Sequence, residues 1–171
     1  TISACERGRQ WAFALGLASE MRRRGLRASV VTLNAVASAC ERGGLWQLAL
    51  GLLGEARRSG LAPDAVTYNT ALSACRAGGQ PQQAARLLAE MRLQGLRPDA
   101  VSYTAAISAC SEGHDWRLAL ELLGQLRRGG CRANLLTCNA SISACERAWR
   151  WQEALALFGE LRLGALRPDA G

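Results

Sequence analysis

The sequence predicts an all-α protein, a right-handed α-solenoid superhelix built from stacked helix-turn-helix units. Two observations support this fold class: five cysteines recur at intervals of 35 residues, and an apolar stripe with helical spacing recurs at the same interval. A single helical hairpin of this size cannot bury its stripe alone. Neighbouring hairpins are therefore expected to pack on one another along the whole chain.

The interval of 35 residues divides the chain into a truncated first unit and four complete units. The recurring positions are Cys5, Cys40, Cys75, Cys110 and Cys145, together with Trp11, Trp46, Trp116 and Trp151, with Pro81 in the remaining slot. The units are residues 1–29, 30–64, 65–99, 100–134 and 135–169, and residues 170–171 begin a further one. Because the opening letters match the interior of later units, we expect the chain to be part of a longer protein.

Each unit contains the signals of two helices. In residues 65–99, a first helix is predicted over residues 66–77, and the pair Gly78-Gly79 ends it. Pro81 suits the first turn of a second helix, because the N–H that proline lacks has no partner there. The second helix carries the stripe Ala84, Leu87, Leu88 and Met91 and ends at Gly95. Equivalent stripes are Ala14, Leu17, Ala18, Met21 and Ala119, Leu122, Leu123, Leu126.

The composition is that of an ordinary globular chain, with 49% hydrophobic and 20% charged residues. Polar residues or glycines interrupt every apolar run before the roughly 18 residues of a membrane span, so no membrane association is expected. The net charge is +7, and all 21 basic residues are arginine. Arginine suits phosphate contacts, although a GC-rich coding bias would also explain its use in place of lysine. The positive charge favours an anionic partner such as nucleic acid.

The unit AVTYNTALSACRAGGQPQQAARLLAEMRLQGLRPD resembles the pentatricopeptide repeat. The elements that carry the resemblance are V-T-Y-N, S-A-C, A-x-x-L-L-x-E-M and the closing G-L-x-P-D, and the match covers essentially the whole chain. Tetratricopeptide repeats differ in their length of about 34 residues and in their aromatic pattern. The uniform length of the units resembles the family's plain type.

The resemblance implies binding of single-stranded RNA, with one base contacted by each repeat. In the family, the fifth and the last residue of a unit contact the base, and an aliphatic second residue wedges between bases. The corresponding pairs are Asn34 with Asp64, Asn69 with Asp99, Thr104 with Asn134, and Asn139 with Asp169; the wedges are Val31, Val66, Val101 and Leu136. These combinations resemble those associated with 5′-UUAU-3′. Ser29 is left without a fifth residue.

Helix capping explains the last residue of each unit equally simply. The residues Ser29, Asp64, Asp99, Asn134 and Asp169 each precede a predicted helix, and all are strong N-cap types. Capping alone would select them. The polar residues at the fifth positions favour base reading in addition.

The remaining conspicuous residues are interpreted as structural. The periodic cysteines lack metal-ligand spacing and are expected to be small packing residues. Cys131 and Cys138 do not follow the 35-residue interval. Cys138 occupies the position that Tyr68 and Tyr103 have in their units, and a regulatory thiol there is the alternative interpretation. The tryptophans at the starts of second helices are expected to pack between units, with base stacking as the alternative. The pairs Arg22-Arg23, Arg57-Arg58 and Arg127-Arg128 lie in last helical turns, where they complement the helix dipole or face phosphate.

The final unit departs from the pattern at two glycines. Ala148 replaces the glycine after the first helix, and Ala165 replaces the glycine after the second, although Gly164 could shift that cap by one residue. Trp149 is out of register and is expected to cover the end of the array. These departures make Asn139 with Asp169 the least regular of the four pairs.

The sequence thus predicts a single-stranded RNA-binding protein that acts by occupancy. The lone His114 has no nucleophile or carboxylate at a suitable spacing, so we expect no enzymatic activity, no cofactor, no metal and no small-molecule substrate. The resemblance implies a role in organellar RNA processing, stability or translation, in a chloroplast or mitochondrion. The alternative is a protein–protein scaffold that binds a peptide in its concave groove.

Overall fold

The computed structural model describes residues 16, 20, 30–131 and 133–165. From residue 30 onward the described chain forms eight α-helices and no strand. The first helices of the units, here called the inner helices, are α1 (Val30–Arg42), α3 (Ala65–Ala77), α5 (Ala100–Glu112) and α7 (Leu135–Arg147). The second helices, called the outer helices, are α2 (Trp46–Arg58), α4 (Pro81–Leu93), α6 (Trp116–Arg128) and α8 (Trp151–Ala165).

The two rows of helices differ in how closely their members approach one another. Successive inner helices pack extensively along their lengths, whereas an outer helix contacts mainly the inner helices of its own unit and of the next. A stack in which one row is more closely spaced than the other must curve towards the closer row. The inner helices therefore form the concave side of the solenoid, and the predicted fold class is confirmed.

The apolar stripes form the core between the rows. The predicted stripe residues of α4 and α6 are all buried, as are the periodic cysteines from Cys40 onward; Cys5 and the stripe of the first unit lie outside the described residues. Burial raises the pKa of Cys75 to about 11 and that of Cys110 to about 12, so these thiols are neutral packing groups. Burial also raises the pKa of Cys138. The prediction that the periodic cysteines pack the core is confirmed for the described units.

Tryptophan or proline at the start of α2, α4 and α6 packs on the turn of the next unit. A Cβ at Gly78 would lie 2.2 Å from Cδ1 of Trp46, and a Cβ at Gly113 would lie 2.5 Å from Cδ of Pro81. Trp116 is half-buried, and the guanidinium of Arg150 lies 4.5 Å from its ring centre. The prediction that Trp46 and Trp116 pack between units is confirmed, while Trp151 is exposed and Trp11 lies outside the described residues.

The inner helices end in a left-handed residue that is not always glycine. Gly44 and Gly79 have φ of +67° and +58°, and His114 and Trp149 occupy the same position with φ of +58°. Ala148, by contrast, has φ of −93°, which any residue adopts. The departure at Ala148 therefore introduces no backbone strain, and the strained residue of the last turn is Trp149. Its side chain is 90% exposed, so the prediction that it covers the end of the array is wrong for the described chain.

The last outer helix lacks the glycine that ends the others. Helices α2, α4 and α6 each have 13 residues and are followed by Gly60, Gly95 and Gly130, whose φ values are +73°, +75° and +75°. Ala165 replaces this glycine, and α8 runs for 15 residues, up to and including Ala165. The loss of the left-handed glycine explains the longer helix.

The first arginine of each described doublet joins neighbouring outer helices. Arg57 forms an ion pair with Glu90, which also accepts a hydrogen bond from the hydroxyl of Tyr68 at 2.9 Å. In the last two units, Nη1 of Arg127 donates to Oε2 of Glu160 at 2.9 Å. These arginines therefore stabilise the stacking of units on the outer row. None of the described helices combines the length and apolar character that crossing a bilayer demands.

Candidate nucleic-acid interface

Clusters of three polar residues lie where the inner helices begin. Each cluster, here called a polar triad, combines the fifth residue of one unit, the last residue of that unit and the third residue of the next. The described triads are Asn34, Asp64 and Thr67; Asn69, Asp99 and Ser102; and Thr104, Asn134 and Thr137. In these three triads the structure brings together the fifth and last residues that the sequence analysis paired. The residue that joins them, at the third position of the next unit, was not predicted from the sequence.

In the first triad, Asp64 caps the helix α3. Its Oδ1 accepts a hydrogen bond from the backbone N–H of Thr67 at 2.8 Å and lies 2.8 Å from the Thr67 hydroxyl oxygen. The Thr67 hydroxyl lies 2.6 Å from Oδ1 of Asn34, and Nδ2 of Asn34 donates to Oδ1 of Asp64 at 3.5 Å. The three side chains therefore form a closed set of hydrogen bonds across the boundary between two units.

The second triad repeats this arrangement with serine in place of threonine. The backbone N–H of Ser102 donates to Oδ1 of Asp99 at 2.9 Å, and the Ser102 hydroxyl lies 2.6 Å from Oδ1 of Asn69. The same hydroxyl accepts from the backbone N–H of Asp99 at 3.3 Å, which completes a capping box. Ser102 is fully buried, so it is screened from any ligand in the groove.

The third triad differs because its fifth residue is Thr104. Oδ1 of Asn134 accepts from the backbone N–H of Thr137 at 2.8 Å, and the hydroxyls of Thr104 and Thr137 lie 2.7 Å apart. The Thr104 hydroxyl also lies 2.6 Å from the backbone carbonyl of Ala100. This triad therefore contains a hydroxyl where the first two have an amide, and an amide where they have a carboxylate.

The fourth pair is only partly described. Asn139 lies on α7 and is exposed, whereas Asp169 lies outside the described residues, as does Ser29. The aliphatic residues at the second positions are all exposed to solvent. Val31, Val66, Val101 and Leu136 are 72%, 57%, 60% and 66% exposed, and each lies three residues before a fifth residue on the same helix face.

Capping uses one of the two polar side-chain atoms of each last residue. The capping hydrogen bonds from Thr67 and Ser102 end on Oδ1 of Asp64 and of Asp99, and the cap at Asn134 also uses Oδ1. The capping interpretation is thus confirmed for three units. Capping therefore does not require Oδ2 of either aspartate or Nδ2 of Asn134.

Hydrogen bonding keeps the two aspartates ionised. Partial burial by itself would raise the pKa of Asp64, but hydrogen bonds from Thr67 and from Asn34 lower it below its ordinary value of 3.8. Burial would likewise raise the pKa of Asp99, but hydrogen bonds from Ser102 lower it, and the net effect is a lowered pKa. Both carboxylates are therefore pure acceptors at neutral pH.

The third residue of each unit is the part of the site that motif reasoning missed. Thr67, Ser102 and Thr137 are buried, and each joins a fifth residue to a last residue. A signal was present in the sequence, because the third residue of every complete unit carries a hydroxyl, including Thr32. Without the tertiary structure, that hydroxyl could be assigned only to helix capping.

These features define a helical-repeat protein with a row of polar triads along its concave side. Models of the pentatricopeptide repeat match consecutive stretches of the chain: a pentatricopeptide repeat domain at residues 16–77, the PPR repeat family at 63–112, and the PPR repeat at 101–131 and 136–163. The chain belongs to the pentatricopeptide repeat family. A comparison with curated proteins found no match.

Solved structures support the same family. The pentatricopeptide repeat protein PPR10 from maize is 30% identical with a TM-score of 0.76; the match covers 98% of this chain and 24% of PPR10. PPR10 in complex with an 18-nt psaJ RNA element is 26% identical with a TM-score of 0.71, covering 86% of this chain and 22% of that one. The PPR domain of Arabidopsis thaliana protein-only RNase P 1, solved with tRNA, shares the fold at 16% identity with a TM-score of 0.80, covering 99% of this chain and 89% of that domain. This chain thus spans about a quarter of the length of PPR10.

Proposed function

We propose that this chain binds single-stranded RNA along its inner helices, with one base contacted by each polar triad. The observation that carries the proposal is the pairing of fifth and last residues in three successive triads, each with a polar atom left over after capping. The likeness to PPR10, which has been solved with an RNA element, supports the same ligand. The protein acts by occupying RNA, without catalysis.

The polar atoms that capping does not use in the first two triads complement uracil. Uracil presents the acceptor O4 beside the donor N3–H on its pairing edge. Nδ2 of Asn34 and of Asn69 is a donor, and Oδ2 of Asp64 and of Asp99 is an acceptor that remains ionised at neutral pH. The asparagine Nδ2 can donate to O4, and the aspartate Oδ2 can accept from N3–H. This complementarity favours U at the first two bases.

The third triad has the opposite complementarity. Adenine presents the donor N6–H₂ beside the acceptor N1. Nδ2 of Asn134 is a donor, and Oγ1 of Thr104 is an acceptor when its own proton is donated to the carbonyl of Ala100. The chemistry therefore favours A at the third base. With Asn139 and Asp169 read like the first two pairs, the proposed address is 5′-UUAU-3′.

The exposed second residues and the net charge support the same ligand. An aliphatic side chain at each of Val31, Val66, Val101 and Leu136 offers a surface on which a base face can pack. The net charge of +7 attracts a phosphate backbone. By family, the proposed setting is organellar RNA processing, stability or translation in a chloroplast or mitochondrion.

Fluorescence anisotropy tests the proposal directly. The chain is titrated into labelled RNAs containing UUAU or GGCG, and into the DNA equivalent of UUAU, over a series of salt concentrations. We expect UUAU RNA to bind best, and the double variant Thr104→Asn/Asn134→Asp to change the preferred third base from A to U. Equal binding of all RNAs with steep salt dependence would reduce the interaction to charge alone. No binding to any of them would favour the peptide scaffold.

A further inference from the structure

We propose that the buried hydroxyls of Thr67 and Ser102 act as positioning residues that make the preceding asparagine select uracil over cytosine. The inference rests on the proposed function and concerns only the two triads whose fifth residue is asparagine. Thr67 is 3% exposed and Ser102 is fully buried, so neither contacts the base. Their effect on the base is exerted through Asn34 and Asn69.

The argument begins with the orientation of the Asn34 amide. The carboxylate of Asp64 is ionised and cannot donate, so the group of Asn34 that faces it at 3.5 Å is the donor Nδ2. The other end of the amide, Oδ1, lies 2.6 Å from the Thr67 hydroxyl, which can donate to it. The Asp64 carboxylate, an acceptor, thus holds the Nδ2 end of the Asn34 amide, and the Thr67 hydroxyl, a donor, holds the Oδ1 end.

The second triad depends on the hydroxyl even more. The Ser102 hydroxyl lies 2.6 Å from Oδ1 of Asn69 and 2.9 Å from Oδ1 of Asp99. Among the described residues, Asn69 has no hydrogen bond to Asp99 of the kind that joins Asn34 to Asp64. The serine hydroxyl is therefore the contact that orients this amide.

The orientation matters because uracil and cytosine differ at the atom that the amide faces. Uracil presents the acceptor O4, and cytosine presents the donor N4–H₂ at the same place. An asparagine held with Nδ2 towards the groove donates to O4 but faces the amine of cytosine with a second donor. If the Ser102 hydroxyl is removed, the Asn69 amide can turn about χ2 and offer its oxygen to cytosine at little cost; without the Thr67 hydroxyl, only Asp64 still opposes the same turn of Asn34.

The test replaces each hydroxyl separately and measures discrimination at both bases. RNAs carrying UUAU, CUAU or UCAU within the same flanking guanosines are titrated against the wild-type chain and the variants Thr67→Val and Ser102→Ala. From the energy of one hydrogen bond, wild-type discrimination of U over C is expected to be roughly tenfold at each of the two bases. Ser102→Ala should bring this ratio near one at the second base only, and Thr67→Val should lower it at the first base only, by a smaller factor because Asp64 still faces Nδ2 of Asn34.

Matched controls separate positioning from general damage. Thr67→Ser retains the hydroxyl and should retain the discrimination at the first base. Ser111→Ala removes another buried hydroxyl, which donates to the hydroxyl of Ser143 on the next inner helix at 3.2 Å. Ser111 lies about 10 Å further along α5 than Thr104, away from the polar triads. It should leave the ratio at both bases unchanged. The backbone N–H groups of Thr67 and Ser102 still reach their caps in every variant.

The outcomes distinguish the inference from the proposed function. If the wild-type chain discriminates U from C but Thr67→Val and Ser102→Ala discriminate equally well, the positioning role is refuted and base reading stands. A loss of discrimination at both bases in either variant would assign the effect to structure and also refute it. If the wild-type chain binds UUAU no better than GGCG, the proposed function fails, and the inference fails with it.

Discussion

The hydroxyl of Thr67 lies 2.6 Å from Oδ1 of Asn34, although the two residues belong to different repeats and are 33 positions apart. The same relationship joins Ser102 to Asn69 and Thr137 to Thr104. The fifth residue of a unit is therefore held by the unit that follows it. Each proposed base site is formed by two adjacent repeats, and its geometry depends on how those repeats stack.

Removing the cap at Asp64 should separate its structural role from its role in recognition. Asp64→Ala removes the acceptor for the N–H of Thr67 and should lower the free energy of unfolding by about 1 kcal/mol. Asp64→Asn keeps an Oδ1 acceptor, so it should retain most of the stability while changing the preference at the first base. Urea denaturation and RNA titration of the two variants measure the two effects. Equal destabilisation by both variants would contradict this separation.

The lowered pKa values of Asp64 and Asp99 predict how stability depends on pH. A carboxyl whose pKa is lower in the folded than in the unfolded state stabilises the fold fully above the unfolded value, here the ordinary 3.8. That stabilisation is lost as the pH falls through the lower pKa that the carboxyl has in the folded state. Thermal melts between about pH 2 and 7 should show stability falling in the acid range less steeply in Asp64→Asn/Asp99→Asn than in wild type. Identical acid profiles would show that these carboxyls are not responsible.

Gly78→Ala should weaken the stacking of two units. A Cβ there would lie 2.2 Å from Cδ1 of Trp46, so the ring must shift, at a cost of about 1–3 kcal/mol. Gly54→Ala is the matched control, because its Cβ would meet no atom within 4 Å on the helix α2. That control should stabilise the chain by up to about 1 kcal/mol. Denaturation midpoints measure both changes, and a neutral Gly78→Ala would contradict the close contact.

Trp149→Gly and His114→Gly should stabilise the protein. Both residues have φ of +58°, a conformation that is costly for residues with a side chain and free for glycine. The gain is reduced by the greater freedom of glycine in the unfolded chain, which leaves a net stabilisation of about 0.5–1 kcal/mol. Thermal unfolding checks the sign of the change. Ala148→Gly, at a position with φ of −93°, should give no such gain.

The ion pair between Arg127 and Glu160 should make only a small contribution. Their side chains are 46% and 55% exposed, so solvent screens the 2.9 Å contact. A double-mutant cycle with Arg127→Ala and Glu160→Ala should give a coupling free energy of about 0.2–1 kcal/mol, decreasing as salt is added. RNA affinity should change little, because the pair lies on the outer row. A large fall in affinity for Arg127→Ala alone would place this arginine against phosphate instead.

Local features of the fold could be predicted from the sequence because they depend on residues close together in the chain. The stripes of α4 and α6 were predicted and are buried, and Pro81 begins its helix as expected. The caps at Asp64, Asp99 and Asn134 were also predictable, since a cap joins residues three positions apart. Where the pattern changed, at Trp149, the same local reasoning wrongly suggested that the side chain covers the end of the array.

The sequence by itself determined the period, the helices and which polar residues recur in pairs, because four complete units display them in the same order. Only the tertiary structure decided which atoms meet. The contacts of Thr67 with Asn34 and of Arg57 with Glu90 join residues in adjacent units, and the register of such contacts depends on how the helices of one unit pack against those of the next. Side-chain packing sets that register, and no short motif encodes it.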